Sequence, residues 1–195
     1  QLNNRRYLEE RLTQLIVTNQ RSHKSFALII MTIDDLSSIR SMIGYRAVDD
    51  VLFSVAQRLK EHCVEASSVL ARISGDEFAI VTRPLNRRTS LKELLSQLID
   101  LFKRPFSIKG LNIQLEATFG VSMLEKRHES YPSLVDEAHI ALFLAKRDRL
   151  PYSIYSAELS FDTFQTHEIF QRLNGVVERG ELFVQFQPIF QGATQ

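Results

Sequence analysis

The chain has 195 residues, room for one domain of ordinary size with a sizeable core plus an appendage. Its 44% hydrophobic and 24% charged content excludes a disordered chain and reads as soluble and globular. A formal net charge of +1 gives no field to draw nucleic acid or an anionic membrane, and the single cysteine, Cys63, excludes an internal disulfide and a cysteine-built metal cluster.

In chain order, the polar opening Gln1–Arg6 lacks an initiating methionine and reads as an interior cut. The piece is therefore expected to be cytoplasmic, with any sensor or membrane anchor outside it. Leu8, Leu12, Leu15 and Ile16 fall at helical spacing and predict an amphipathic helix over about Arg5–Asn19. Phe26–Ile33 reads as a central strand covered on both faces, and its apolar run is far too short to cross a bilayer. A second helix carries Ala47, Val51, Leu52, Val55, Ala56 and Leu59. Val69–Arg72 and Glu77–Thr82 read as a hairpin turning at Ser74-Gly75-Asp76.

A third helix, marked by Leu91, Leu94, Leu95, Leu98, Ile99 and Phe102, stops before Pro105. A further hairpin is expected from Phe106–Ile108 and Leu111–Met123, turning at Lys109-Gly110. The fourth helix starts near Pro132 with Leu134, Ala138, Ala141, Leu142 and Ala145, and Tyr152–Tyr155 is a candidate closing strand. The order predicts an α+β fold of the ferredoxin or polymerase-palm type, a central antiparallel sheet flanked by helices. Beyond it, Leu173, Val176 and Val177 suggest a short helix ending at Gly180, and Leu182–Ile189 a strand ending at Pro188.

The chemically informative residues are carboxylates at strand ends. Asp34 and Asp35 follow the first strand, and Asp76 and Glu77 sit at the hairpin turn. Convergence on one sheet edge would suit Mg²⁺ shared with a triphosphate, since Mg²⁺ takes oxygen ligands. Acidic residues are also ordinary turn formers, so spacing alone leaves both readings open.

Arg72-Ile73-Ser74-Gly75-Asp76-Glu77-Phe78-Ala79-Ile80-Val81 resembles the signature hairpin of the GGDEF family of diguanylate cyclases, with Ser74 for the first glycine. Leu2-Asn3-Asn4-Arg5-Arg6, Ile33-Asp34 with Gly44 and Asp49, Phe119-Gly120-Val121, and Ala138 with Ala141–Lys146 resemble further family segments in the family's order. The resemblance spans residues 1 to about 155. It implies a helix-flanked sheet and the condensation of two GTP molecules to cyclic di-GMP, one per domain of a homodimer, with Mg²⁺ or Mn²⁺. The segment Leu182–Ile189 resembles the opening strand of EAL-type cyclic-di-GMP phosphodiesterase domains. The expected division is a GGDEF domain over 1–155 and a linker with the start of an EAL domain over 156–195.

Residue by residue, the resemblance implies a degenerate site. Thr32 stands where the family has its first metal-binding aspartate, a neutral and weak Mg²⁺ ligand. The resemblance assigns metal contacts to Asp76 and the Ile33 carbonyl, with Asp34 a displaced substitute on the same side of the strand as Thr32. It assigns catalysis, if any survives, to Glu77 and Asp76. In the guanine site, Arg40 replaces an asparagine and cannot accept a hydrogen bond, Ser41 replaces an aspartate, and Asp49 matches the second reader. Tyr45, Val48 and Ser37 also depart from the family pattern.

Lys146 matches the phosphate-contacting lysine; Leu150 replaces the next basic contact, and Arg147 and Arg149 are expected to aim elsewhere. Glu65-Ala66-Ser67-Ser68 keeps neither charge of the family's product-inhibition site. Three functions follow: a domain that binds GTP and regulates an adjoining EAL domain in cis, an active diguanylate cyclase, or a dimerisation module without nucleotide. Direct contacts with nucleic acid or membrane are not expected.

Overall fold

The computed structural model describes residues 2–19, 25–63, 67–85, 88–125 and 127–158. The expected EAL-like helix and strand lie outside the described residues. The elements are α1 (Arg5–Asn19), β1 (Phe26–Ile33), α2 (Leu36–Ile43), α3 (Tyr45–Cys63), β2 (Ser67–Arg72), β3 (Glu77–Thr82), α4 (Arg88–Phe102), β4 (Phe106–Ile108), β5 (Leu111–Ile113), β6 (Ala117–Leu124), α5 (Tyr131–Arg147) and β7 (Tyr152–Ile154).

The main sheet has five strands in the order β2-β3-β1-β6-β7. β1 runs antiparallel to both neighbours, and β2 antiparallel to β3, which is the ferredoxin-like arrangement. β7 is parallel to β6, so the sheet is mixed and not wholly antiparallel as expected. The reason lies in the connection: α5 crosses over between the two strands, and a crossover permits parallel pairing.

All eight residues of β1 are buried, because helices cover both faces. The alternation of a strand divides them between two cores. Ala27, Ile29, Met31 and Ile33 pack with α3 and α4; Phe26, Leu28 and Ile30 pack with α1 and α5. α5 lies so close on β6 that a Cβ at Gly120 would stand 2.2 Å from the Ala138 carbonyl oxygen and 2.3 Å from the Leu142 nitrogen. Only glycine admits that approach. On the other face, the Arg58 guanidinium of α3 donates to the carbonyls of Leu101 (2.8 Å), Arg104 (2.7 Å) and Pro105 (2.7 Å) and lies over the Phe106 ring. It thereby satisfies carbonyls left open at the end of α4.

The expected long arm Leu111–Met123 is two strands. β5 pairs with β4 in a separate two-stranded hairpin, whose turn residues Lys109 and Gly110 have φ of 50° and 82°. Between β5 and β6, the Gln114 side chain donates to the Phe102 carbonyl at 2.6 Å, which ties the break to the end of α4. The helix α2 was not expected from the sequence. It starts from Asp35 in the left-handed region (φ 51°) and is separated from α3 by Gly44 (φ 82°).

Candidate functional site

Because β1 is antiparallel to β3 and β6, its end meets the beginnings of both neighbours. Thr32 pairs with Glu77 on one side and with Thr118 on the other, forming a row across three strands. Asp76 precedes β3 and Asp34 follows β1, so the sheet edge gathers the carboxylates as anticipated. They are nevertheless occupied by hydrogen-bond donors. Thr32 Oγ1 donates to Asp76 Oδ2 at 3.2 Å, and Thr118 Oγ1 to Asp34 Oδ2 at 2.7 Å. Lys146 Nζ lies 3.7 Å from Asp34 Oδ1. Ser74 Oγ donates to Glu77 Oε2 at 3.0 Å, while His139 Nε2 stands 3.7 Å from Glu77 Oε1.

The turn is held from within: Arg72 donates through Nε (3.1 Å) and a terminal nitrogen (2.7 Å) to the Gly75 carbonyl. Next to it opens a cleft of about 580 Å³, lined by Ile33, Asp35, Ser37, Arg40, Asp49, Asp76 and Lys146 among others. Of the assigned contacts, Arg40, Asp49, Lys146, Ile33 and Asp76 thus share one cavity, while Asp34 and Glu77 are not among its lining residues. Val48 lines the cleft from within α3 and is buried. Helical backbone explains why a β-branched residue is tolerated where the family has glycine. The expectations about Tyr45 and residues 65–68 fall on side chains outside the described set.

A second space of about 830 Å³ adjoins the first and shares Asp35 and Lys146 with it. Arg149 lines it with Lys103 and Asp34 and does not line the first cleft. Helical periodicity does not apply, since α5 ends at Arg147 and Arg149 adopts φ 53°. Arg147 instead pairs with Asp148 at 2.7 Å. Thr118, His139, Lys103 and Arg149 are the site residues that sequence reasoning missed. Thr118 has a signal in hindsight: a hydroxyl residue opening a strand whose neighbour ends in another.

The donor set does not fit a protein-made metal centre. Thr32 is a hydrogen-bond donor where a carboxylate is implied, and Asp34 is turned toward Thr118 and Lys146. Among the described residues, no group of three or more His, Cys, Asp and Glu side chains is arranged to hold a metal ion. Asp35, Asp49 and Asp76 are the carboxylates that line the cleft, with Ile33 beside them.

The family model "Diguanylate cyclase, GGDEF domain" matches residues 1–150. The bifunctional diguanylate cyclase/cyclic di-GMP phosphodiesterase MucR of Pseudomonas aeruginosa is 24% identical over 96% of this chain and 27% of its own length. The cyclic di-GMP phosphodiesterase NbdA of the same organism is 25% identical over 96% of this chain and 24% of its own. The chain thus spans about a quarter of these relatives. Among solved structures, the active GGEEF domain of a diguanylate cyclase from Vibrio cholerae aligns with a TM-score of 0.70 and 25% identity, over 80% of this chain and 99% of that one.

Proposed function

The chain belongs to the GGDEF family, and on that premise we propose that its domain is a degenerate cyclase that binds GTP and regulates an EAL domain adjoining it in cis. The chain is a GGDEF domain of cyclic-di-GMP signalling proteins; the degeneracy, the nucleotide and the partner are the proposal. The observation that carries it is the Thr32–Asp76 hydrogen bond. A hydroxyl donor now faces the carboxylate that the family would pair with a second one across a metal ion. Phosphoryl transfer depends on positioning and charge stabilisation, so that loss weakens turnover far more than binding.

Binding is supported by the shared cleft. Asp49 offers acceptors for guanine N–H groups, Lys146 a cation for phosphate, and Arg40 donors at the opposite wall. The likeness to MucR and NbdA across nearly the whole chain supports a division near residue 155 with an EAL domain following. No described helix is long and apolar enough to cross a membrane, in keeping with a cytoplasmic domain.

A second reading rests on one observation: Asp76 and Glu77 keep their places at the turn, so a feeble cyclase working as a homodimer is the competitor. Incubating the protein with GTP and Mg²⁺ or Mn²⁺ separates them. GTP binding without cyclic di-GMP is expected. Product formation favours the cyclase, and absence of binding favours a dimerisation module.

A further inference from the structure

We propose that the cleft takes its nucleoside triphosphate without a divalent cation, the chain's own hydroxyls and cations standing where a metal ion would be shared. The inference rests on reading the cleft as a nucleotide site and goes beyond it by removing the metal requirement.

Three of the edge carboxylates, Asp34, Asp76 and Glu77, already face donors, while Asp35 lines both spaces. Thr32 holds Asp76, Thr118 holds Asp34 at 2.7 Å, Lys146 faces the other oxygen of Asp34, and Ser74 holds Glu77 with His139 beyond. A metal ion would have to displace these donors one at a time. Mg²⁺ sheds its own water reluctantly and demands near-octahedral oxygen geometry, which carboxylates already held by hydroxyls and a lysine supply poorly. Three of the edge carboxylates are therefore engaged by hydrogen bonding before any ion arrives. Thr32 is the pivotal substitution, because it converts a ligand position into a donor aimed at the neighbouring ligand.

A triphosphate still needs positive charge, and the chain brings its own. Lys146 lines both spaces, and Arg149 lines the larger one together with Lys103, which also pairs with Asp100 at 2.6 Å. Arg149 follows the end of α5 in a left-handed backbone conformation and lines the same space as the lysine. Guanidinium binds phosphate oxygens in pairs and does not require a metal ion to mediate. Asp34, Asp35 and Glu116 line the same space and offset part of this charge, so affinity is expected to be moderate and salt-sensitive.

The test titrates the full chain with a non-hydrolysable GTP analogue in EDTA and again in excess Mg²⁺, and titrates Mn²⁺ alone by water-proton relaxation. The expected result is analogue affinity equal in the two buffers within about threefold, with no protein-bound Mn²⁺. Thr32→Asp, which restores a second carboxylate, is expected to gain about tenfold tighter binding in Mg²⁺ than in EDTA. A fall of about tenfold or more for the unmodified chain on chelation overturns the metal-free site and leaves the nucleotide reading standing. Protein-bound Mn²⁺, or a Thr32→Asp chain indifferent to Mg²⁺, also overturns it. Binding in neither buffer overturns the nucleotide reading and this inference together.

Discussion

The two ends of the β6–α5 seam treat carboxylates in opposite ways. Thr118, Gly120 and Ser122 share one face of β6. At the far end Ser122 Oγ donates to Glu137 Oε2 at 2.7 Å, His128 Nε2 lies 2.9 Å from the same oxygen, and Arg127 donates to Oε1. The Glu125 amide donates to His128 Nδ1 at 3.0 Å, which sets the ring proton on Nε2, toward Glu137. Burial works to raise the carboxyl pKa of Glu137, but hydrogen bonds from Arg127, Ser122 and His128 outweigh it and hold the pKa below the ordinary glutamate range. At the near end Asp34 has Thr118 and a distant, half-exposed lysine. One end spends its carboxylate on the fold; the other leaves its carboxylates at the rim of a cleft. Polar groups that are buried must be fully satisfied, whereas a ligand site needs groups whose partners can be exchanged.

The contrast can be broken by mutation, beginning with the residue between the ends. Gly120→Val drives a side chain into the α5 backbone and is expected to cost about 4 kcal/mol or to prevent folding, read by thermal and urea denaturation. Glu137→Ala leaves Arg127 and His128 facing a buried void and is expected to cost about 3 kcal/mol. Glu137 also fixes a pH response. Its native pKa lies below its ordinary value of 4.5, so its stabilisation is complete above that value and is lost as pH falls through the native one. Glu137→Gln should flatten the acid limb of a stability–pH curve, and an unchanged limb would remove Glu137 from the account. Next, Ser122→Ala should cost about 1–3 kcal/mol and Thr118→Ala less than about 1 kcal/mol. Equal costs would erase the distinction between the ends. Last, Thr32→Asp with Arg40→Asn is expected to improve GTP affinity in Mg²⁺, while the new carboxylate beside Asp76 costs about 1–3 kcal/mol of stability without ligand. Unchanged affinity would remove Thr32 and Arg40 from the nucleotide site.

Much of this arrangement is legible in the sequence, because apolar runs declare strands and turn residues declare their ends. The eight residues of β1 and the Ser74–Asp76 turn announce the edge on which the carboxylates meet. What stays hidden depends on register or on single backbone conformations. Thr118 becomes a partner of Asp34 only once β6 is aligned with β1, and Ser122 meets Glu137 only once α5 is seated. Leu36–Ile43 is short and polar enough to pass for a loop. Arg149 leaves the helical spiral through one left-handed residue, which no periodicity foretells. The Leu111–Met123 arm misled because its apolar residues continue across Gln114, whose tie to α4 is long-range.

Arg58 gives α3 the character of a lever with a fixed pin. The helix has 19 residues. Asp49, on the cleft wall, stands nine positions before Arg58, about 13 Å along the axis. Because Arg58 is bolted to the three carbonyls of Leu101, Arg104 and Pro105, the helix that carries Asp49 is tied at that point to the end of α4.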